Sequence, residues 1–530
     1  METYNPYHSR MLEAALFAAR HPNLELVQLV SFGCGHDAII SDEMARILKE
    51  TSGKELLVLK LDEGEARGPL NIRIKSFIET IRSKRRNRIQ KEQESFSGYK
   101  PLGHPFPVQY LKSDRKRRTI LIPNLSPAFS YMVGRILEHQ GFSVKVLDVA
   151  DRKAIELGKR YVHNDICFPA QVNIGEILAE LQRGHLHPEE VVAGLAKNCV
   201  ACRAGQYAAL CRKALDEAGY SQVPIITTGT EDDKQMHPGF RFSIGARYRL
   251  LWGLQMVDAL ETILRRIRPY EKTPGITDRL FQHHLERIGD SLLQGTKRGL
   301  EALAEAVEDF NGIPLKNIPR KPRVGVVGEI LMNYHPGANR FIESYLERNG
   351  MEIVLPGMIE FFRKGNIAER HMAFRRLHPH PVFLSMKAEL LEWIFGKAHD
   401  AVVNVMARFK YREEPYSIKE IAQNILGLID PTYQIGEGWL MPGEIIQLAK
   451  MGIHSFVILN PFGCMPNHIT GRGMIKTLKA LFPHIQILSL DFDPDTSFAN
   501  IENRLQMLIL TALELEERNR SPYSSQPVSL

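Results

Sequence analysis

The sequence predicts an α/β protein of several lobes, with parallel sheets flanked by helices and one mostly helical insert. Three observations carry that expectation. Short Val-, Leu- and Ile-rich runs alternate with longer amphipathic stretches over most of the 530 residues, the pattern of βαβ units. The short runs are largely apolar, as in strands covered on both faces. Between residues 240 and 311 the apolar positions recur instead at helical spacing, broken at Pro274-Gly275.

The elements follow in order. A strand over residues 24–32 ends in Ser31-Phe32-Gly33-Cys34-Gly35; a helix over 37–50, a strand over 56–61 and a long helix over 69–94 complete a partial α/β lobe, residues 1–94. Residues 95–118, rich in Pro, Gly and basic side chains, read as a basic linker. The second Rossmann-like lobe spans 119–239, with strands at 119–123, 144–149, 191–195 and 223–227 and helices at 164–182 and 204–218. A helical segment fills 240–320. The third lobe, 321–520, opens on Arg323-Val324-Gly325-Val326-Val327-Gly328 and has later strands at 456–459 and 485–490. Its helices are expected at about 443–450, 469–480 and 498–517, and the polar stretch 521–530 reads as a frayed tail. One internal likeness joins the ends of the chain. Leu26 to Cys34 and Phe456 to Cys464 both run from an apolar strand into Phe-Gly-Cys, which suggests a duplicated lobe.

Composition narrows the function. With 44% apolar and 24% charged residues the chain has the balance of a soluble globular protein, not of a disordered, collagen-like or coiled-coil one. No run approaches the ~18 consecutive apolar residues of a membrane span. The polar start, Met1-Glu2-Thr3-Tyr4-Asn5-Pro6, lacks a basic-then-apolar signal, so a cytoplasmic protein is expected. Net charge is +7, yet residues 82–118 alone hold twelve Lys/Arg against three acids, leaving the rest slightly acidic. The aromatics of that window, Phe96, Tyr99, Phe106 and Tyr110, are not interleaved with the basic residues as stacking platforms, so it reads as a solvated helix face and an exposed connector rather than a nucleic-acid site.

Six cysteines are present: Cys34, Cys167, Cys199, Cys202, Cys211 and Cys464. In a reducing compartment structural disulfides are not expected. Cys34 and Cys464 lie just past strand ends, and Cys202 lies just before a helix. Cys167 falls in the first turn of a helix capped by Asn164 or Asp165. Open α/β sheets bind ligands at the carboxyl ends of strands, and helix N-termini stabilise thiolates. Three thiolates from Cys167, Cys202 and Cys464 suit a [4Fe–4S] cluster with one iron open, and a fourth ligand would close it. The plainer alternative is that all three are small buried hydrophobes, since separations of 35 and 262 residues match no ferredoxin run. Cys199-Val200-Ala201-Cys202 is a single C-x-x-C without the second pair of a zinc site. Cys211 lies mid-helix among Leu210, Ala214 and Leu215 and reads as core. His371, His378 and His380 crowd a Pro-containing loop and read as no metal site. No G-x-x-x-x-G-K-[ST] occurs, and Gly33-Cys34-Gly35-His36-Asp37-Ala38 is only the loose form of a dinucleotide turn. The chain is not expected to be an ATPase or an NAD enzyme itself.

Four motifs carry a resemblance: Asn164-Asp165-Ile166-Cys167-Phe168-Pro169-Ala170, Cys202-Arg203-Ala204, Gly436-Glu437-Gly438-Trp439, and Pro461-Phe462-Gly463-Cys464-Met465-Pro466-Asn467-His468. In this order they resemble the 2-hydroxyacyl-CoA dehydratase and benzoyl-CoA reductase family, above all the C-terminal part of the large activase-related fusion proteins of anaerobes. The likeness extends from about Tyr7 to Gln506. It implies an iron–sulfur component of an ATP-dependent, low-potential electron-transfer system. In that family a separate ATP-hydrolysing activator passes one electron to the cluster, which reduces an acyl-CoA thioester to a ketyl radical; related members reduce small molecules at a double-cubane [8Fe–9S] cluster. By the same resemblance Cys167, Cys202 and Cys464 are the ligands, with Cys34 and Cys199 as further candidates. A non-catalytic, cluster-carrying scaffold subunit is the alternative. The chain departs from the family at Asn198-Cys199-Val200-Ala201, which stands where a Gly-rich run often precedes Cys-Arg-Ala. The first lobe is expected to lack strands that complete its sheet, and hence to meet a hetero-oligomeric partner near residues 8–80.

Overall fold

Two four-stranded parallel sheets with the same winding dominate the molecule. The computed structural model describes residues 6–31, 37–61, 67–89, 108–163, 166–196, 202–228 and 236–520. The middle sheet holds β3 (Thr119–Ile122), β4 (Ser143–Val146), β5 (Val191–Leu195) and β6 (Ile225–Thr227) in the order β4-β3-β5-β6. The C-terminal sheet holds β7 (Arg323–Gly328), β8 (Glu352–Val354), β9 (Ser455–Pro461) and β10 (Gln486–Phe492) in the order β10-β9-β7-β8. Counted within each sheet, both orders read 2-1-3-4, and every pairing is parallel. Winding reverses between the first and third strands, which opens a crevice outside their carboxyl ends. Those strands are β3 and β5 in one sheet and β7 and β9 in the other. All seven residues of β9 are buried, which is why its sequence Ser-Phe-Val-Ile-Leu-Asn-Pro shows no alternation.

The N-terminal sheet is smaller. It has only β1 (Leu26–Ser31) and β2 (Leu56–Leu61), paired in parallel. Helices Pro6–Arg20 and Asp37–Ser52 cover one face through Ala15, Ile40, Met44 and Ile47. Val27 and Leu29 face outward and are 45% and 64% exposed. Leu59, the in-register partner of Leu29, is buried, so among the described residues that face is open over β1 and covered over β2.

Between the sheets in sequence lies the helical part. Ile244–Ile267, Ile276–Gln294 and Thr296–Asn311 pack around Met256, Leu260, Ile263, Ile288, Leu303 and Val307. The first starts at Ser243, whose Oγ accepts from the Ala246 N–H at 3.2 Å. The break at Pro274-Gly275 holds, with Gly275 left-handed at φ 80° immediately before the second helix.

Two expectations need correction. The helix expected over 164–182 is Phe168–Arg183, and Cys167 is its N-cap rather than part of its first turn. Extended backbone at Cys167 (φ −173°, ψ 123°) delays the start, and Pro169, lacking an N–H, sits in the first turn where none is required. Asn164 and Asp165, the caps expected instead, lie outside the described residues. The basic segment is not wholly an exposed connector either. Residues 90–107 lie outside the described residues, but Tyr110 is fully buried, and Asp114 pairs with Arg118 beneath the surface, 3.5 Å apart. Arg118 also donates to the Val191 carbonyl at 2.9 Å, tying this segment to the start of β5.

The middle and C-terminal lobes share a core. Ala154, Ile155, Phe168 and Val172 of one pack with Leu331, Met332, Ile342 and Leu346 of the other. A buried polar pair crosses the same junction. Glu176 accepts from His335 Nε2 at 2.8 Å and from the N–H groups of Asn124 and Ala150, each at 2.8 Å. The Ala338 N–H donates to His335 Nδ1, which fixes the proton on Nε2. Among the described residues no helix is long and apolar enough to cross a membrane. Replacing His335 by Ala leaves the buried carboxylate short of one donor, so His335→Ala is expected to lower unfolding free energy by about 1–3 kcal/mol. Urea unfolding of the two proteins at equal pH measures this; identical midpoints would show that the pair does not hold the lobes.

Candidate functional site

Each of the three cysteines singled out by the sequence and described by the structure is a helix N-cap. Cys167 caps Phe168–Arg183, Cys202 caps the short turn Arg203–Gln206, and Cys464 caps Met465–Thr470. Cys464 is delivered by β9, the third strand of its sheet, and Cys202 follows β5, the third strand of the other. Both therefore stand at the crevice that the strand order opens. Cys167 arrives differently, at a corner between two helices of the β4-to-β5 crossover. Cys34 and Cys199 lie outside the described residues.

One side chain joins the three loops. Arg203, the neighbour of Cys202, is buried and donates from Nη1 to the Ile166 carbonyl and from Nη2 to the Gly463 carbonyl. These carbonyls belong to the residues immediately before Cys167 and Cys464. A single planar guanidinium thus holds both neighbouring loops against the one that carries it. Tyr207, one turn further on, places its hydroxyl 3.1 Å from Cys167 Sγ. Its own proton is held well above the usual phenol range by burial and by the nearby sulfurs of Cys167 and Cys202.

Cys167, Cys202 and Cys464 are each half-buried as residues, and protein atoms crowd around the Cys167 and Cys464 thiols. Burial raises Cys167, opposed by the Arg203 charge, the Tyr207 hydroxyl and the Ala170 N–H. Burial raises Cys464 far more, and Glu437 beside it adds to the rise. Cys211 is a different case. It is fully buried in the Tyr207–Glu217 helix, and burial, with Arg212 opposing and Asp216 adding, pushes it up to about 12.

Two acids stand beside the thiols. Glu329 follows β7, the first strand, and caps the helix Ile330–Tyr334 by accepting from the Met332 N–H at 3.0 Å. Glu437 accepts from the Ile330 N–H at 2.9 Å. Asn467 lies between them, its amide donating to Glu437 Oε2 at 2.5 Å and accepting from the Glu329 N–H at 2.9 Å. Burial, with Glu437 alongside, pushes Glu329 up to about 8. The Gly436-Glu437-Gly438-Trp439 motif now has a physical reason. Gly436 and Gly438 are both left-handed, at φ 59° and 54°. A Cβ at Gly438 would sit 2.3 Å from the Tyr433 carbonyl oxygen, and one at Gly436 2.8 Å from Pro466. The tight turn lays Glu437 against the Cys464 loop while Trp439 is fully buried beneath.

Acidic groups continue inward from here. Glu444, raised well above its ordinary value by burial, feels both Glu437 and Glu360. Burial pushes Glu360 up to about 7, and Glu360 lines a cavity of about 690 Å³ along β8 with Asp258, His399 and Tyr416. None of the cysteines lines that cavity.

The three cysteines were legible from their places at element ends. Arg203, Tyr207 and Glu329 were not. Arg203 stood in a quoted motif without a role, and Glu329 had only its position after a strand ending in glycine to mark it. No group of three His, Cys, Asp or Glu side chains among the described residues is close enough to hold a single metal ion. Compared with known proteins, the chain matches no protein-family model, and no curated protein matches it.

Two outcomes are expected here. Arg203→Met removes both ties and leaves two carbonyls without donors, lowering stability by about 2–4 kcal/mol. Cys167 and Cys464 should then react faster with a disulfide reagent while Cys211 stays inert; unchanged thiol kinetics would refute the tie. The second outcome concerns pH. The Glu329 carboxyl has an ordinary value of 4.5 and a folded value of about 8. Between those values the folded chain keeps a proton that the unfolded chain has released, so stability falls as pH rises through that window. Metal-free Glu329→Gln should show a flatter stability profile between pH 5 and 8 than the parent, and an equal slope would remove Glu329 as its source.

Proposed function

We propose that Cys167, Cys202 and Cys464 hold an iron–sulfur cluster and that the chain is the cluster-bearing component of an ATP-dependent, low-potential electron-transfer system. The observation that carries this reading is the convergence of three thiols, 35 and 262 residues apart, at three helix N-termini joined through Arg203. The donor set fits the group. The ligands of a cubane bind separate irons, and three protein thiolates leave one iron open. Helix N-termini lower the cost of thiolates, and a bound metal removes the thiol protons that burial retains. A double-cubane [8Fe–9S] cluster would draw on six thiolates, and Cys211 lies apart in the core, which favours a single [4Fe–4S] cluster.

Once bound, such a cluster supplies one-electron reduction. The chain's own residues do the rest. Arg203 fixes the ligand loops, and Tyr207 orients Cys167 by its hydroxyl. Glu329, close to the thiols, holds a proton near neutral pH and would deliver it to a reduced acyl-CoA or other small substrate in the recess. Asn467 keeps Glu329 and Glu437 at fixed separation. The ATP-hydrolysing step falls to a separate activator, since the chain has no phosphate-loop sequence. The bare face of β1 at Val27 and Leu29 supports a hetero-oligomeric partner on the N-terminal lobe. A cytoplasmic location belongs to the same reading.

Anaerobic reconstitution with iron and sulfide tests it. Iron is expected at about four per chain. It should be abolished or at least halved in Cys167→Ala, Cys202→Ala and Cys464→Ala and unchanged in Cys211→Ala. Iron insensitive to all three changes would sink the assignment, and iron near twice that level would favour the double-cubane cluster. A change in the paramagnetic spectrum on adding an acyl-CoA separates a catalytic component from a scaffold that only relays electrons.

A further inference from the structure

The helix Pro381–Met406 has two apolar faces, and among the described residues only one of them is packed. Leu384, Ala388, Ala398 and Val402 are buried against the chain's own core. On the opposite side Val382, Phe383, Met386, Leu390 and Trp393 are between 56% and 73% exposed. Their spacing, three to four residues apart, draws one stripe along the helix. Phe374 and Leu377, in the segment leading into the helix, are 86% and 60% exposed. The charges flanking the stripe are already engaged within the chain. Lys387 Nζ lies 3.0 Å from Glu369, Arg370 lies 3.7 Å from Glu389, and the Lys397 ammonium stands 3.7 Å over the Trp393 ring. Arg376 is exposed at one end of the patch, between Phe374 and Leu377, while the stretch from Phe383 to Trp393 presents mainly apolar side chains.

We propose that this face is a homodimer interface in which two copies of the helix pack antiparallel about Ala388. Two observations point to a second copy. The first is area. The five helix residues present on the order of 600 Å² of apolar surface, and Phe374 and Leu377 bring it to the ~800 Å² per partner of a specific interface. The second is symmetry. Met386 and Leu390 lie two residues either side of Ala388, and Phe383 and Trp393 lie five either side. In an antiparallel pair Met386 therefore meets Leu390 of the second copy, and Phe383 meets Trp393. Such a stripe is complementary to itself, as an isologous contact requires. The interface does not depend on the cluster reading, because it lies on a different element from the cysteine loops.

Sedimentation of the full chain, with and without reconstituted iron, tests it. The parent should run at twice its 60.3 kDa at micromolar concentration in both states. The double variant F383E/L390E should run as a monomer that still unfolds in one cooperative transition, at a melting temperature that no longer depends on protein concentration. Met386→Glu should weaken the dimer tenfold or more, and M386E/L390K should recover it, because the two positions face each other across the axis. A monomeric parent, a dimeric F383E/L390E, or no recovery in the charge-paired variant would each overturn the proposal. So would binding of a monomeric parent through this stripe to phosphatidylcholine vesicles containing phosphatidylglycerol, which would make the face a membrane-docking surface instead.

Discussion

The Arg203 guanidinium is the constraint on which the cysteine recess depends. It is buried, charged and planar, and its two Nη groups point to carbonyls on two loops that come from different lobes. Burying a cation is expensive unless its donors are satisfied, so the folded chain keeps Arg203 only when both carbonyls are present. The same requirement runs the other way. The Ile166 and Gly463 carbonyls sit immediately before two cysteines, and holding them places those sulfurs near the third. Lysine could neutralise charge at this position but has no rigid fork to span two loops.

The loops are within reach of Arg203 because of the lobe architecture beneath them. Both large sheets wind 2-1-3-4, so each opens a crevice at its first and third strands. The shared core around Phe168, Leu331 and Met332, with the Glu176–His335 pair inside it, brings the two crevices to one side of the molecule. Cys202 and Cys464 then come from equivalent places in two similar sheets. The likeness between the N-terminal and C-terminal Phe-Gly-Cys segments had suggested a duplicated lobe. The clearer repeat in the structure is between the middle and C-terminal sheets, whose sequences show little sign of it.

The acids around the recess extend its chemistry beyond the sulfurs. Glu437 raises the cost of ionising Glu329, and Asn467 bonds both the Glu437 carboxyl and the Glu329 backbone N–H. A pair of that kind stores a proton where water has little access. Glu444 and Glu360 prolong the acidic run to the cavity along β8, so the recess is electrostatically linked to the interior.

The sequence by itself determined the α/β class, the parallel strands, the helical insert and the places of Cys167, Cys202 and Cys464 at element ends. Those features are local. Apolar runs, helical spacing and the proline after a cap act over a few residues, so they can be read in order along the chain. Only the tertiary structure decided that Cys167 caps its helix, that Tyr110 and Arg118 are packed rather than exposed, and that Arg203, Tyr207, Glu329 and Glu437 surround the thiols. These depend on contacts between residues up to 260 positions apart, as between Arg203 and Gly463. No periodicity records such a pairing, because the side chains meet only after two separate sheets have folded and docked on a common core.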